Sequence, residues 1–352
     1  MSQGIILHLF GWDKKFVPSF IDIIRRNFST ARHKFAIYGK LDKSERILPE
    51  NSVIYFNLLK DFFALSKELN KAEKIIFHGL FNNHLFYIIF LQPWLLRKCY
   101  WVIWGGDLYV HEIQGTGWRW EKDEFLRRFI IRRIANLVTY ISGDVDLARK
   151  WYGAKGRHIE CLVYPSNVFN VSIELNQTTS EIRTVLIGNS ADPSNNHLEI
   201  FLALSELEDK KFQLICPLSY GDKVHAAIVA EEGIRLFGDR FLPLLDFMPY
   251  QDYLVMLDKI DIAIFAHRRQ QGMGNTVSLL GLGKKVYMRE DISSFSLLKS
   301  LGFHLGKISD LDLKPLDNDL AKKNQEICLN YFSMENLLKQ LDNVFEGEHG
   351  VP

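Results

Sequence analysis

The sequence has 352 residues, 47% of them hydrophobic and 24% charged, the balance of a soluble globular protein long enough for two domains. Its 43 lysines and arginines against 42 aspartates and glutamates leave a net charge of +1, which argues against a nucleic-acid partner. The four cysteines lie far apart without CxxC spacing, so the sequence predicts reduced, buried thiols and excludes a disulfide or zinc framework.

The start of the chain and its most apolar segment bear on membrane insertion. Residues 1–4 lead directly into a strand-like run, without the basic start and cleavage site of a signal peptide. The apolar segment 85–104 is interrupted by Pro93, Arg97 and Lys98, so it contains no span of about 18 uncharged residues. We therefore expect no signal peptide and no transmembrane helix.

Strand-like and helix-like runs alternate along the first half of the chain. Short apolar runs rich in β-branched and aromatic residues predict strands buried on both faces. These strand candidates are 5–10, 35–38, 53–56, 75–78, 100–104, 137–141 and 159–163. Helices are predicted over 17–28, 58–69, 83–90, 118–135 and 142–151.

The second half repeats the alternation. Its predicted core strands are 185–187, 212–215, 262–265 and 285–287, and the helices between them centre near Ile200, Ala227, Leu254, Leu279 and Leu298. Such alternation favours parallel sheets covered on both faces, one in each half. The expected fold class is α/β, with two doubly wound, Rossmann-like domains facing each other across a cleft at the carboxyl ends of both sheets.

Polar clusters without a hydrophobic period predict a linker over 166–181. We therefore expect an N-terminal domain over 1–165 and a second domain over 182–319. Two further helices are predicted within 320–352, and packing back on the first domain is one expected arrangement for them.

The stretch 268–276, RRQQGMGNT, is the most informative part of the chain. It lies between a strand-like run and a helix-like run, so glycines, free helix-start amides and two arginine forks combine into an anion site. The alternative is a basic surface turn. We expect this loop and the turn after the first strand of the second domain to hold a nucleotide diphosphate. The predicted donor-binding residues are Gly188, Asn189, Ser190, Arg268, Arg269, Gln270, Gln271, Gly272, Gly274, Asn275 and Thr276.

Polar residues also follow strands of the first domain, and three of them are the predicted catalytic residues. Asp107 lies on a glycine turn after an aromatic strand, where apolar neighbours would raise its pKa toward general-base duty. A turn-stabilising hydrogen bond is the alternative. His8 and His78 are the next candidates for a base, although histidines at strand ends are also commonly structural.

No metal site or other cofactor is predicted. Asp144 and Asp146 have the two-carboxylate spacing that some nucleotide-sugar enzymes use for a divalent ion. They fall at a helix start, however, where acidic residues complement the helix dipole. If no ion is used, the arginines and the helix start must balance the charge of the leaving diphosphate.

The segment 118–133 predicts a basic amphipathic helix. One function for such a helix is to lie on an anionic membrane surface, and a core-facing helix with a solvated basic side is the alternative. The predicted membrane-surface residues are Trp118, Arg127, Arg128, Arg132 and Arg133.

Four ordered blocks resemble the bacterial glycosyltransferase family 56: WGGDLY at 104–109, GNSADPSNNH at 188–197, DYL at 252–254 and RQQGMG at 269–274. The known member moves N-acetylfucosamine from dTDP to lipid II in enterobacterial common antigen synthesis. The resemblance implies the two-domain GT-B architecture, with the donor in the second domain and the acceptor in the first.

The same resemblance implies a hexosyltransferase whose partners are a dTDP-sugar donor, a lipid-linked sugar acceptor and the cytoplasmic face of the bacterial inner membrane, bound peripherally. Two other classes stay open. A nucleotide-sugar epimerase or dehydrogenase would need a GxGxxG fingerprint after the first strand, which 9–13 does not supply. A non-catalytic nucleotide-sugar-binding protein would use the same site without turnover.

Overall fold

The computed structural model describes residues 4–39, 52–58, 60–113, 115–169 and 181–347, which fall into two compact units. Unit 1 comprises Met1–Ser166 and Glu335–Pro352, and unit 2 comprises Asn167–Met334. Most of the expected linker, residues 170–180, lies outside the described residues. Each unit contains one parallel sheet with helices between its strands, so the predicted α/β fold class is confirmed.

Unit 1 contains a seven-stranded sheet in the order β3-β2-β1-β4-β5-β6-β7. The strands are β1 (Ile6–Gly11), β2 (His33–Tyr38), β3 (Val53–Phe56), β4 (Lys74–His78), β5 (Cys99–Val102), β6 (Asn136–Val138) and β7 (Arg157–Ile159). The helices are α1 (Val17–Asn27), α2 (Phe62–Lys71), α3 (Asn83–Phe90), α4 (Val110–Ile113), α5 (Trp118–Ile131) and α6 (Ser142–Tyr152).

Unit 2 contains a six-stranded sheet in the order β10-β9-β8-β11-β12-β13. The strands are β8 (Arg183–Ile187), β9 (Phe212–Pro217), β10 (Phe241–Leu244), β11 (Ile262–Phe265), β12 (Lys285–Met288) and β13 (Gly306–Lys307). The helices are α7 (His197–Glu206), α8 (Lys223–Phe237), α9 (Tyr250–Asp258), α10 (Met273–Gly281), α11 (Ser293–Ser300) and α12 (Asn318–Tyr331).

The strands that the sequence misplaced or missed lie at sheet edges. The last strand of unit 1 covers 157–159 rather than 159–163, and Val163 has φ 63°, which an extended strand does not allow. The missed β10 carries Pro243, a residue that edge strands accept because one side of the strand needs no ladder hydrogen bond. The missed β13 has only two residues and includes Gly306. Apolar periodicity is weak in such edge strands.

The two C-terminal helices, expected as one segment, belong to different units. In unit 2, α12 packs on α10, where the Cys328 thiol of α12 contacts the Val277 carbonyl at 3.5 Å. The last helix, α13 (Met334–Glu346), lies in unit 1. There the Gln340 side chain accepts a hydrogen bond from the Leu162 amide at 2.8 Å, and the Lys74 ammonium donates to the Val344 carbonyl at 3.3 Å.

Both sheets contain a topological switch point. The strand order reverses between β1 and β4 in unit 1, and between β8 and β11 in unit 2. Loops leaving two such neighbouring strands run in opposite directions, so a crevice opens at the carboxyl ends, where open α/β sheets bind ligands. The loops after these four strands are therefore the places to look for a site.

Candidate active site

In unit 2, the loop after β8 folds around the side chain of Asn195. Its Oδ1 accepts hydrogen bonds from the Asn189 amide at 3.0 Å and from His267 Nε2 at 2.9 Å, so it joins this loop to the one after β11. Gly188 has φ 65°, and a Cβ there would lie 2.8 Å from both Asn195 Oδ1 and His197 Nε2. Glycine is therefore required at 188 for conformation and for space.

The loop after β11 ends at an uncapped helix start. Gly272 has φ 65° at the N-cap of α10, and it offers no side chain to the first-turn amides. The first backbone bond runs from the Thr276 amide to the Gly272 carbonyl, so the amides of Met273, Gly274 and Asn275 have no partner within the helix. Three free amides at the positive end of a helix dipole suit an anion.

Gln271 ties the two loops together. Its Oε1 accepts a hydrogen bond from the Ser194 hydroxyl at 2.7 Å, and its Nε2 donates to Asn189 Oδ1 at 3.2 Å. The buried Ser190 hydroxyl accepts from Asn195 Nδ2 at 3.2 Å. The neighbouring Gln270 has a buried Oε1 without a partner in the described structure. The predicted residues from both loops therefore form one hydrogen-bonded cluster.

The two arginines of the loop have different surroundings. Arg269 donates from Nη2 to Asp192 Oδ2 at 3.1 Å, and its side chain is about one quarter exposed at 26%. Partial burial opposes ionisation of Asp192, but hydrogen bonds from Ser194 and Arg269 outweigh it, so the pKa of Asp192 is lowered. Arg268 is 67% exposed and lies 3.6 Å from Glu199. Of the two arginines, Arg269 is therefore the better-positioned candidate for contact with a phosphate.

Two of the predicted donor residues have local partners. The Thr276 side chain is buried, and its hydroxyl donates to the Gly272 carbonyl at 3.2 Å, so it stabilises the helix start rather than presenting a hydroxyl to a ligand. Asn275 donates to the Tyr253 hydroxyl at 2.9 Å. The Thr276 hydroxyl is therefore not available to a ligand, and the backbone amide of Asn275 stays a predicted donor contact.

Asp192, Asn195 and His267 are functional-site candidates that the sequence analysis does not single out. Asn195 is fully buried and holds both loops, and Asp192 orients Arg269. His267 is also buried, and burial lowers its pKa to about 3, so it remains neutral and donates from Nε2. The run of short polar residues at 192–196 was the available signal.

In unit 1, the contacts do not support Asp107 as a general base. Its carboxylate is fully buried and accepts four N–H donors: Leu80 N at 2.8 Å, Trp101 Nε1 at 2.6 Å, Trp104 N at 3.0 Å and Leu108 N at 3.1 Å. Burial raises the pKa of Asp107, and these hydrogen bonds oppose the rise. All four partners are donors, so none can accept a carboxylic-acid proton. Asp107 instead holds the loops after β4 and β5.

His8 and His78, the other predicted catalytic residues, are buried at 0% and 3% exposure and bond to each other at 3.1 Å between Nδ1 of His8 and Nε2 of His78. Burial holds the pKa of both rings well below the usual value for histidine. A fully buried ring cannot reach a substrate hydroxyl directly, so His8 is not a substrate-contacting base. Both rings belong to a longer run of buried hydrogen bonds within unit 1.

The predicted membrane-surface residues on and just after the basic helix α5 differ in their exposure and in their partners. Trp118 is 68% exposed and Arg132 and Arg133 are exposed, whereas Arg128 bonds to Glu124 and to the Trp151 carbonyl. Arg127 is buried and donates to Glu124 at 2.9 Å, so its assignment to the membrane surface is wrong. A charge at that depth is stabilised by its ion pair and does not reach a lipid. No helix in the described part of the chain is long and apolar enough to cross a membrane.

The acidic pair considered for a metal does not form one site. Asp144 is buried in the first turn of α6, whereas the Asp146 side chain is 75% exposed and lies 3.6 Å from Arg149. Across the described residues, no group of three or more His, Cys, Asp or Glu side chains has an arrangement that could hold a metal ion. Metal independence stays a prediction.

Comparisons with known proteins agree with this architecture. The family of 4-alpha-L-fucosyltransferases, glycosyl transferase group 56, matches residues 13–292. Anabaena HepE, solved with UDP and glucose, has a TM-score of 0.69 at 13% identity and covers 98% of this chain and 100% of its own. A Rickettsia africae glycosyltransferase has a TM-score of 0.66 at 14% identity, covering 99% of this chain and 100% of its own.

Sucrose-phosphate synthase from Thermosynechococcus elongatus has a TM-score of 0.64 at 14% identity, covering 97% of this chain and 98% of its own. At these identities the structural matches show the fold, which is that of the GT-B glycosyltransferases. The family match spans most of the sequence, including the loops after β8 and β11. The chain therefore belongs to glycosyltransferase group 56, the 4-alpha-L-fucosyltransferase family, and is a glycosyltransferase with the GT-B fold.

Proposed function

We propose that this glycosyltransferase moves a deoxyamino sugar of the N-acetylfucosamine type from a dTDP-sugar to a polyprenyl-diphosphate-linked oligosaccharide in bacterial surface-polysaccharide synthesis. The observation that carries the proposal is the anion site at the unit 2 switch point. The free amides of α10 and the guanidinium of Arg269 lie there beside the loop after β8. Anabaena HepE, which shares the fold, was solved with UDP and glucose, which supports a nucleotide-sugar donor.

The chemistry required of this site is charge stabilisation. As the bond from the sugar carbon to the diphosphate breaks, negative charge grows on the departing oxygens. The amides of Gly274 and Asn275 are fixed by the helix and need no reorganisation to receive it. Arg269 is held by Asp192 in the structure, and exchanging that carboxylate for a phosphate keeps the guanidinium paired throughout.

A thermal-shift series with dTDP, UDP, GDP and NAD at equal concentrations tests the donor assignment. A nucleotide present at a hundred times its Kd stabilises the folded state by about 2.7 kcal/mol, so the strongest binder gives the largest shift in Tm. We expect dTDP to exceed UDP and GDP, and NAD to give no shift. A larger shift with UDP would overturn the dTDP assignment, and no shift with any diphosphate would overturn the donor site.

We also propose that the protein acts peripherally at the cytoplasmic face of the bacterial inner membrane through α5. Trp118, Phe125 and Arg132 follow one another at intervals of seven residues, which is about two helical turns, so they lie along one stripe. Trp118 and Phe125 are 68% and 59% exposed, and Arg132 is exposed at the end of the stripe. Exposed aromatic rings beside a cation suit the interface of an anionic membrane.

Vesicle co-sedimentation tests this surface. Replacing both Trp118 and Phe125 with serine is expected to weaken binding to phosphatidylcholine–phosphatidylglycerol vesicles by about tenfold or more, because two interfacial rings are lost. The control is Phe63→Ser, since Phe63 on α2 is 85% exposed and lies outside the stripe. The membrane role of α5 would be contradicted if vesicle binding fell equally in the double variant and the control, or if it fell in neither.

A further inference from the structure

Unit 1 contains a continuous chain of buried side-chain hydrogen bonds that crosses three neighbouring strands. It consists of Tyr164, His78, His8 and His33, and we name it the histidine chain. Tyr164 Oη lies 2.6 Å from His78 Nδ1, His78 Nε2 lies 3.1 Å from His8 Nδ1, and His8 Nε2 lies 2.9 Å from His33 Nδ1. All four residues are at most 5% exposed, so water does not compete for these bonds.

A fifth residue sets the direction of the chain. The indole Nε1 of Trp104 lies 3.0 Å from Tyr164 Oη, and an indole nitrogen can only donate. Tyr164 therefore accepts from Trp104 and donates its own proton to His78 Nδ1. Each histidine in turn accepts at Nδ1 and donates from Nε2, so all three rings take the same Nε2–H tautomer.

The opposite direction is disfavoured. If His78 donated from Nδ1, Tyr164 would accept from both His78 and Trp104, and its own proton would lose the His78 acceptor. A buried hydroxyl without a partner costs about 1–3 kcal/mol. Protonating His8 would likewise set its Nδ1–H against the Nε2–H of His78. The chain is therefore stable in one protonation state and one direction.

Ring packing fixes the chain sterically as well. His78 stacks on Phe10 with ring centroids 3.8 Å apart and an interplanar angle of 16°. His8 stacks on Phe35 at 5.1 Å, and Phe345 of α13 meets the edge of His33 at 4.6 Å. Buried rings in such close aromatic contact cannot turn over without opening the core.

The chain ends at an aromatic group beside the unit 1 switch point. Trp104 follows β5, is half-buried, and meets the rings of Phe16 at 4.7 Å and Phe81 at 5.9 Å. Phe81 is 52% exposed. A Cβ at Gly79 would lie 2.4 Å from the Phe81 ring, so the glycine at this position makes room for the Phe81 side chain.

The side chain of Trp104 has one polar atom, Nε1, and this atom donates a hydrogen bond to Tyr164. What the residue offers to a ligand is therefore the apolar surface of its indole, and the apolar C–H face of a sugar ring packs against such a surface. We propose that Trp104 binds the sugar of the acceptor and that the histidine chain is a positioning device that holds its indole in one orientation. The inference rests on the proposed function, because it assigns the acceptor of that same transfer.

Steady-state kinetics with Tyr164→Phe, Trp104→Phe and the double variant test the inference. The acceptor probe is a polyprenyl-diphosphate-linked disaccharide of N-acetylated sugars. Tyr164→Phe removes only the hydroxyl link and, at the usual net value of one hydrogen bond, is expected to raise the KM for the probe about five- to tenfold, with the KM for the dTDP-sugar unchanged. Since the chain acts through Trp104, the double variant should be no worse than Trp104→Phe alone. If the rise in probe KM in the double variant equals the product of the rises in the two single variants, the proposal is overturned.

Two further comparisons distinguish a loss of Trp104 positioning from a general loss of stability: a conservative replacement of His78 and a matched control at another buried tyrosine. Asparagine can place an oxygen near Nδ1 of a histidine, so His78→Asn should retain the Tyr164 bond and stay near wild-type KM, whereas His78→Leu should match Tyr164→Phe. Tyr152→Phe removes a different buried hydrogen bond, to the Leu108 carbonyl at 3.2 Å, and should leave the probe KM unchanged. An equal rise of KM in Tyr152→Phe would show that general destabilisation is the cause.

A second measurement does not depend on turnover. The ¹⁵N chemical shifts of His8, His33 and His78 should all report the Nε2–H tautomer at neutral pH. The signals are assigned by their loss in single His→Asn variants. A mixture of tautomers would contradict the single hydrogen-bond direction of the histidine chain. Failure of the wild type to transfer sugar to the probe would overturn the proposed function and the acceptor role of Trp104 together. Transfer with an unchanged KM in Tyr164→Phe would overturn this inference alone.

Discussion

Arg269→Ala should lower kcat/KM for the nucleotide sugar by about 100- to 1000-fold, which corresponds to about 2.7–4 kcal/mol of transition-state stabilisation. The reason is that the Arg269 fork is the best-positioned cation of the anion site and is already oriented by Asp192 at 3.1 Å. Arg269→Lys keeps the charge but loses the planar fork, so it should fall between alanine and wild type. Initial-rate kinetics with varied dTDP-sugar measure both variants.

The matched control is Arg235→Ala on α8. Arg235 also belongs to unit 2 and pairs with a nearby acid, Glu232, but the pair is exposed and away from the switch point. Such an exposed pair is screened by solvent, so its removal should leave both Tm and kcat/KM unchanged. Wild-type kcat/KM in Arg269→Ala, with an unchanged Tm, would exclude the loop from the mechanism.

The second large effect is a steep loss of stability in mild acid. Burial lowers the pKa of His33 and His197 to about 4 and of His267 to about 3, and it holds the pKa of His8 and His78 well below the usual value. Unfolded histidines bind a proton near pH 6.5. The stability contributed by the neutral rings is therefore fully present above about pH 6.5 and is lost as the pH falls toward the folded pKa values.

Each such histidine costs about 1.4 kcal/mol per pH unit in this window, so the three rings of unit 1 together cost about 4 kcal/mol per pH unit. Domains are typically stable by only about 5–15 kcal/mol, so the urea midpoint should fall sharply between about pH 6.5 and pH 4.5. The experiment is urea unfolding at half-unit pH steps, followed by circular dichroism.

His33→Asn identifies the source of the slope, since it keeps an acceptor for His8 but removes one titrating ring. The pH dependence of its free energy of unfolding should correspond to about one fewer proton taken up on unfolding than in the wild type. The exposed His84 provides the control, and His84→Gln should leave the slope as it is in the wild type. A pH-independent urea midpoint down to about pH 5 would contradict the assignment of neutral buried histidines.

The periodicity of apolar runs was enough to predict the two parallel sheets, because strands buried on both faces are apolar along their whole length. The position of the 268–276 loop between a strand and a helix start was also predictable, and its donor-binding role stays a prediction based on the glycines and arginines typical of anion sites. Gly272 does end that loop at the N-cap of α10, and Arg269 does lie beside the loop after β8.

Contacts between residues distant in sequence were beyond such reasoning. Asp107 is predicted as a base because its partner Leu80, 27 residues away in sequence, reaches it only in the folded sheet. His33 is not among the predicted residues, because its role depends on the register of β1 and β2, which pairs it with Ile6 and so lets its ring reach His8, two residues further along β1. Arg127 is buried and paired with Glu124, whereas Arg132 and Arg133 in the same basic segment are exposed. These roles depend on register and on packing, which local sequence patterns do not encode.

The position of α13 has a consequence for how the protein is made. Its residue Phe345 covers His33 and lies against His8, yet it follows the whole of unit 2 along the chain. A ribosome delivers unit 1 strands first, and N-terminal domains usually fold as they emerge. Here the nascent sheet must keep an apolar face uncovered until residues 334–346 are synthesised. Chaperone protection should therefore matter most for the half that is translated first.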